Sequence, residues 1–326
     1  MRLYLAWRDG EPVGRIAATI NRLHNEYHKD TMGFWGYFET VNDPAVARAL
    51  LDRAAADLRQ HGLTEMIGPM NPSINGECGI LVEGFDRPPV ILMPYNPPWY
   101  EGLILQAGLQ KVKELYAYLL LPSHVTEDKA NMQRLERLSD AIRKRHPTLR
   151  IRPLDIKNLE TEVLTLGHLF NNVRRDNWGF VPMTDAELRA MASEMKRIVD
   201  PEMIGVAEIE GKPVACILTL PDINPILQKI NGRLFPFGWL RLLWGRKSLK
   251  GLRIFGSAAL EEYRRLGPIV LLFLEMIRRG QRRGKEYAEL SWVAEGNLAP
   301  LQTIENALHP QLYKRYRVYG RNLSGQ

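Results

Sequence analysis

Apolar and polar positions alternate along the first forty residues and then shift to a helical spacing. Tyr4 to Arg8 and Val13 to Ile20 alternate on either side of Asp9-Gly10-Glu11-Pro12, the pattern of two strands joined by a hairpin turn. Gly33 to Val41 is a third strand, rich in aromatic residues. At Asn42-Asp43-Pro44 the period changes: Asp43 is placed to cap a helix and Pro44 to fill its first position. Val46, Leu50, Leu51, Ala54 and Leu58 then recur along one helical face, and His61-Gly62 ends it. Thr64 to Gly68 returns to strand. After an Asn-rich turn and a Pro-rich connection, Asn96 to Gly108 is expected to be helical and Tyr116 to Leu121 extended.

The same grammar then repeats. A polar linker around Ser123 to Lys129 and a charged helix from Asn131 to Lys144 lead to a strand at Ile151-Arg152-Pro153-Leu154 and a helix from about Leu159 to Asn172. Met203 to Glu210 and Pro213 to Leu220 form a hairpin around Glu210-Gly211-Lys212. A strand to Ala259, a turn, a helix to Gly284, a strand to Val293, a helix after Asn297 and a closing strand from Leu312 to Tyr319 follow. This alternation predicts an α/β protein with mixed sheets and helices on their faces. It divides into a first lobe over 1–122, a linker and charged helix over 123–148, and a second lobe over 149–326.

Composition narrows the class. The 326 residues suffice for one large or two medium domains, and 45% hydrophobic with 25% charged residues is the balance of a globular protein in water. The two cysteines, Cys78 and Cys216, lie far apart, so neither a disulfide framework nor a thiolate metal site is expected, and no metal is assigned. With no long apolar run and no signal-like N-terminus, the expected location is cytoplasmic. The net charge of +7 is unevenly spread: from Ile226 to Arg253 there are seven basic residues and no acidic one, interleaved with Phe235, Phe237, Trp239, Leu240, Leu242, Leu243 and Trp244. Two readings stand for that segment. One is a surface that lies against an anionic membrane, which would make the protein peripheral on the inner membrane; the other is a solvated basic hairpin whose aromatics close the core. Its leucines argue against base stacking, so no DNA partner is expected.

The run from Leu252 to Asn297 carries the candidate chemistry. An apolar strand passes through Glu262-Tyr263-Arg264-Arg265-Leu266-Gly267-Pro268 into a helix, so backbone N–H groups and the positive helix end face any anion held there, with Arg264, Arg265 and Gly267 around it. The alternative is a plain basic surface turn. Glu295 and Asn297 follow the C-terminal end of a predicted strand, where ligands gather in open α/β sheets. Glu295 is either a general base or a charge at a helix entry. Asp222 and Asn224 are either an acceptor site or an ordinary Asp-x-Asn turn. Tyr313 is either a proton donor or a core tyrosine.

The order strand–turn–helix–strand–Asn, with Arg264-x-x-Gly267 in the turn, resembles the acyl-CoA-binding half of the GNAT acyltransferase fold, although Ile269 stands where that family's motif has Gly or Ala. Further blocks are similar to a family of bacterial tandem-GNAT proteins that includes ceramide-synthase-like N-acyltransferases. They are Gly68-Pro69-Met70-Asn71-Pro72-Ser73-Ile74-Asn75, Met93-Pro94-Tyr95-Asn96-Pro97-Pro98-Trp99-Tyr100, Asn177-Trp178-Gly179-Phe180-Val181-Pro182 and Glu289-Leu290-Ser291-Trp292. The resemblance runs from about Val13 to Tyr319 and implies two tandem GNAT lobes, the first lacking its opening strand and helices. It implies direct transfer of a fatty acyl group from a thioester to the amine of a long-chain base. Acyl-CoA would be the cosubstrate, or acyl-carrier protein the donor, and no tightly bound cofactor is implied. On it, Ala258 and Ala259 offer backbone groups to the pantetheine arm, and Asn177 and Trp178 line the acceptor channel. The first lobe has no Arg/Gly turn and carries Asp43 where a diphosphate would sit, so its expected role is structural. Two other readings remain: an aminoacyl-tRNA-dependent transferase on the same tandem fold, and a degenerate pair of lobes that binds lipid or a partner without activity.

Overall fold

The structure is a computed structural model that describes residues 1–121, 129–196, 198–297 and 309–324. The chain divides into two compact units. Met1–Tyr116, Trp178–Val181 and Tyr313–Gln326 form one; Ala117–Asn177 and Pro182–Leu312 form the other.

The first unit opens with the expected hairpin, β1 (Arg2–Arg8) and β2 (Glu11–Thr19), turning through Asp9 and Gly10. A short helix, α1 (Arg22–His28), follows; the Asn21 side chain accepts the His24 N–H at 3.1 Å and so caps it. β3 (Met32–Thr40) leads to α2 (Pro44–Gln60). Here the sequence expectation holds in detail: Asp43 accepts the Ala45 N–H at 2.8 Å and Pro44 opens the helix. The face of Val46, Leu50, Leu51, Ala54 and Leu58 is buried with Ile16, Trp35 and Met66 in the core of this unit. Burying each such leucine contributes about 1.5–3 kcal/mol, so this face, not helix propensity, holds α2 in place.

Four short strands follow: β4 (Glu65–Gly68), β5 (Met70–Asn71), β6 (Glu77–Cys78) and β7 (Ile80–Glu83). The helix expected from Asn96 is confined to α3 (Tyr100–Gln106). Asn96 instead imitates a strand partner: its side chain accepts the Leu81 N–H at 2.7 Å and donates to the Leu81 carbonyl at 3.2 Å. Pro97 and Pro98 then exclude an earlier helical start. β8 (Gln110–Leu120) carries the chain into the second unit.

The second unit contains α4 (Lys129–Arg145), β9 (Leu149–Pro153), α5 (Leu159–Val173), α6 (Asp185–Met195), β10 (Gly205–Ile209) and β11 (Lys212–Pro221). Two short helices, α7 (Asn224–Lys229) and α8 (Gly238–Gly245), precede β12 (Gly251–Ala259); α9 (Glu261–Arg264), α10 (Pro268–Arg282) and β13 (Tyr287–Ala294) complete it. Its strands lie in the order β13-β12-β11-β10-β9, antiparallel throughout except between β12 and β13. α10 buries Leu271, Leu272, Leu274 and Met276, while Val206, Ala207, Ala215 and Ile217 are buried on the strands.

The last strand, β14 (Gln311–Asn322), differs from the boundary expected at 149–326, because from Tyr313 onward it belongs to the first unit. It runs antiparallel to β4, from Tyr319 opposite Gly68 to Asn322 opposite Glu65. Arg317 bonds both Glu101 and Glu114 at 2.7 Å, and the Tyr319 hydroxyl reaches Glu101 at 2.5 Å. The first unit therefore orders its strands β1-β2-β3-β4-β14-β8. The helix expected after Asn297 and most of the linker around Ser123 to Lys129 lie outside the described residues.

Candidate functional site

The two parallel strand pairs are built alike and end differently. In the second unit β12 and β13 pair from Gly251 opposite Tyr287 to Ile254 opposite Leu290, and there the ladder stops. β12 continues to Ala259 beside β11, with a register shift between Leu218 and Thr219 that leaves Phe255 as a bulge. From 255 to 259 one edge of β12 thus no longer pairs with β13. Alternate residues of an antiparallel strand turn their N–H and C=O groups away from the paired neighbour, so this edge presents backbone donors and acceptors to an extended guest. Ala258 and Ala259 lie in this stretch, both buried.

Beyond Ala259 the chain is not the direct turn expected. It makes the single helical turn α9, and Arg264 Nε donates back to the Ala259 carbonyl at 3.2 Å, capping the end of β12. Gly267, at φ +75°, then enters α10, and Pro268 takes its first position. An added Cβ there would be strained by that φ and would lie 2.6 Å from the Ile142 Cδ1. No side chain caps α10, and Arg264 and Arg265 are both exposed beside its start.

At the inner end of the parted strands lies a set of buried polar groups. Tyr287, Glu289 and Ser291 alternate on one face of β13. Glu289 has no exposed surface and stands opposite Arg253 in the ladder; Arg253, itself buried, donates from Nε to the Ser291 hydroxyl at 3.1 Å. The Tyr287 hydroxyl donates to Asp222 Oδ2 at 2.7 Å, and burial, reinforced by that carboxylate, raises the tyrosine's pKa. The other Asp222 oxygen accepts the Asn224 N–H at 3.2 Å, so this pair forms the expected Asp-x-Asn turn and also braces β13. From the sequence, Glu289 stands within a predicted strand and a family block, with no site role assigned to it. The available signal was a Glu and an Arg set into otherwise apolar strands.

The remaining candidates are dispersed. Glu295 sits in the turn after β13, where Gly296 has φ +86° and the Asn297 N–H reaches the Ala294 carbonyl at 2.9 Å. Asn177 closes the turn after α5 through a 2.9 Å bond to the Arg174 carbonyl. Arg174 stacks on Phe170 at 4.1 Å, and burial lowers its pKa to about 10, which leaves it charged at neutral pH. Tyr313 and Trp178 belong to the first unit. There Trp178, with the Lys113 ammonium 5.9 Å from its ring, lines a cleft of 430 Å³ with His24, His28, Asp30 and Lys111. The scattered histidines are expected to include no His-x-x-x-His pair, yet His24 and His28 form one, a single helical turn apart on α1. Their rings stack at 4.3 Å, and His28 Nε2 bonds the Phe180 carbonyl at 2.8 Å. No group of three or more His, Cys, Asp or Glu residues able to hold a metal occurs among the described residues.

The first unit closes the matching gap. β3 and β4 pair in parallel from Met32 opposite Glu65 to Phe34 opposite Ile67, and β2 and β3 shift register just beyond. The chain then turns β5 against β3. The Tyr37 N–H donates to Asn71 Oδ1 at 2.7 Å, and a Cβ on Gly36 would collide with the Met70 carbonyl. At the N-terminus of α2, Asp43 accepts a hydrogen bond from Arg8 at 2.6 Å. That bond first, and the one from the Ala45 N–H second, hold its carboxylate pKa below the usual value.

No protein-family model matches the chain. Over 328 residues it is 37% identical to protein YghO of Escherichia coli, spanning 98% of this chain and 82% of that protein. Over 332 residues it is 33% identical to the bacterial ceramide synthase of Caulobacter vibrioides, spanning 99% and 84%. Among solved structures it is similar to a tandem GNAT protein from the clavulanic acid biosynthesis pathway, with a TM-score of 0.55 at 11% identity, covering 99% of this chain and 83% of that one. A GCN5-related N-acetyltransferase from Sphaerobacter thermophilus gives 0.52 at 11% identity, covering 97% and 78%. At such identities the structural likeness establishes a tandem GNAT fold and nothing about substrate.

Proposed function

The chain belongs to the bacterial tandem-GNAT acyltransferase family that includes the Caulobacter vibrioides ceramide synthase and Escherichia coli YghO, and we propose that it moves a fatty acyl group from acyl-CoA to the amine of a long-chain base. One observation carries the reading: the parallel ladder of the second unit stops at Ile254 and Leu290, with a carboxylate at its inner end and an uncapped, arginine-flanked helix N-terminus at its outer end. An acyl-CoA has the same polarity, an apolar thioester at one end of an extended amide-bearing arm and a diphosphate at the other.

In this reading the diphosphate lies at the start of α10 beside Arg264 and Arg265, and the pantetheine amides pair with the edge of β12 that faces away from β11, at Ser257 and the Ala259 N–H, while Ala258 turns toward β11. Five residues of strand span about 17 Å, which brings the thioester carbonyl to the bulge at Phe255. Backbone N–H groups facing the gap receive the charge that develops on its oxygen. The base belongs at this inner end, which favours Glu289 over Glu295, about 20 Å farther along β13. The amine attacks the carbonyl carbon and gives its proton to Glu289. The tetrahedral intermediate then expels CoA thiolate, and that proton ends on the thiol. Arg253 and Ser291 position Glu289, and Asp222 positions Tyr287 beside it.

Calorimetry with palmitoyl-CoA, acetyl-CoA and CoA on the wild type and Arg264→Ala tests the donor half. The expected result is palmitoyl-CoA binding weakened about tenfold by the substitution, the scale of one charge-assisted contact. Absence of binding to all three would defeat the CoA-dependent reading. Amide formation with sphingoid amines then tests the acceptor.

A further inference from the structure

The segment between β11 and β12 is a closed excursion from the sheet. Its base is pinned where the Asp222 N–H bonds the Gly251 carbonyl at 3.0 Å and Pro221 pairs with Leu252. Inside it α7 and α8 pack on each other: Ile226 lies against Gly245, and Ile230 and Leu249 are buried. This small core leaves the remaining large apolar side chains outside. Phe235 is 85% exposed, Trp244 74% and Phe237 68%, with Leu243, Trp239 and Leu234 exposed beside them. Solvated aromatic groups in that number on one short excursion do not close a core, as the second sequence reading of this segment would require. Lys229, Arg233 and Arg241 are exposed on the same segment and have no carboxylate partner among the described residues.

The charge pattern selects the occupant. The exposed Lys229, Arg233 and Arg241, with no acidic residue between Ile226 and Arg253, complement an anionic surface. A second copy of the chain, meeting this face through a twofold axis, would set like charge against like. Exposed tryptophan and phenylalanine beside lysine and arginine match the two layers of a lipid headgroup region, which holds aromatic rings at its boundary and cations at its phosphates. We propose that residues 229–246 form a membrane-docking element, in which Phe235, Phe237 and Trp244 enter the interface of an anionic bilayer and Lys229, Arg233 and Arg241 contact its headgroups. No helix among the described residues is long and apolar enough to cross a membrane, so the proposed association is peripheral. The proposal stands apart from the chemistry assigned to β12 and β13.

The test uses the full chain and unilamellar vesicles of phosphatidylcholine alone or with roughly a third phosphatidylglycerol. Expected are co-sedimentation and a blue shift of tryptophan emission with the anionic vesicles, at a partition coefficient about tenfold or more above that for the neutral ones. The combined Phe235→Ser, Phe237→Ser, Trp244→Ser variant should lose about tenfold or more of that binding while its thermal midpoint and palmitoyl-CoA affinity stay at wild-type values. Lys229→Gln, Arg233→Gln, Arg241→Gln should remove the preference for anionic lipid. Equal partition into both vesicles, or anionic binding untouched by the aromatic variant, would overturn the proposal. So would a concentration-dependent dimer, or salt-sensitive tRNA binding, that the aromatic variant abolishes in place of vesicle binding.

Discussion

The two units share a parallel strand pair, a bulge just beyond it and a helix leaving the central strand, yet one gap is filled and the other is not. In the first unit Met70 and Asn71 lie against β3, with Asn71 taking the Tyr37 N–H that an extended guest would otherwise meet. The helix end that would face an anion already holds Asp43, tied to Arg8. In the second unit the ladder simply stops, the helix begins at a capless Gly267, and two arginines flank it. On the proposed function, the lobe that takes the donor is the one whose strand edge leaves β13 and whose helix start has no side-chain cap. On the same proposal, the lobe whose chain fills that place itself has a structural role.

The sharpest way to break this contrast is at the carboxylate of the second unit. Glu289→Gln is expected to lower kcat by about 10²–10⁴, the range for a general base, while palmitoyl-CoA affinity stays within about twofold. Glu295→Gln should cost less than about tenfold. Steady-state kinetics of both variants decide it: if Glu295→Gln shows the larger loss, the reacting end of the gap has been assigned backwards.

Next comes the filled gap. Gly36→Ala drives a Cβ into the Met70 carbonyl and to 2.7 Å from Asn71 Oδ1, and backbone cannot yield as a flexible side chain does. A loss of about 3 kcal/mol is expected, seen as a lower denaturation midpoint, with donor affinity unchanged in the folded fraction. Ser257→Trp is the counterpart in the other unit. Ser257 is half-buried on the stretch of β12 that pairs with β11 and no longer with β13, so a large ring there should obstruct the donor and weaken palmitoyl-CoA binding about tenfold or more, with little change in stability. Were Ser257→Trp to unfold the protein while Gly36→Ala did not, the roles of the two gaps would be reversed.

How much of this was legible before the structure depends on whether the information is local. The β1–β2 hairpin and the Asp43-Pro44 start of α2 are written in neighbouring residues and appear as expected. The capping box of α6, in which the Thr184 hydroxyl and the Glu187 carboxylate cap each other's backbone, was equally local and was passed over. The partner of β14 could not be read, because a strand's alternation fixes which face it buries and not which strand it joins. Its bonds to Glu101 and Glu114 lie some two hundred residues away in the chain. The candidate site was half legible. Arg264 and Gly267 follow from the turn chemistry, while Glu289 sits mid-strand, where sequence reading expects packing; only its charge, opposite that of Arg253, marked it.

The smallest expected effect also belongs to the first unit and tests whether its polar groups serve stability alone. His24 is buried on α1, its ring against those of Phe34 and His28, with Asp30 3.3 Å from Nε2. Burial is the largest influence and lowers its pKa below the usual 6.5. Asp30 acts in the opposite direction, and His28 adds to the lowering. A histidine held neutral in the fold binds its proton more readily once unfolded. Its contribution is therefore fully present above about pH 6.5 and is lost as pH falls toward the lowered folded value. Denaturation midpoints of the wild type should drop between about pH 7.5 and pH 5.5 more steeply than those of His24→Gln, by no more than the one-proton limit of about 1.4 kcal/mol per pH unit. The same variant should bind palmitoyl-CoA as the wild type does, since His24 lies in the unit whose gap is filled. A shift in donor affinity would mean that the 430 Å³ cleft beside His24 takes part in the reaction, and the division between a structural and a catalytic unit would have to be redrawn.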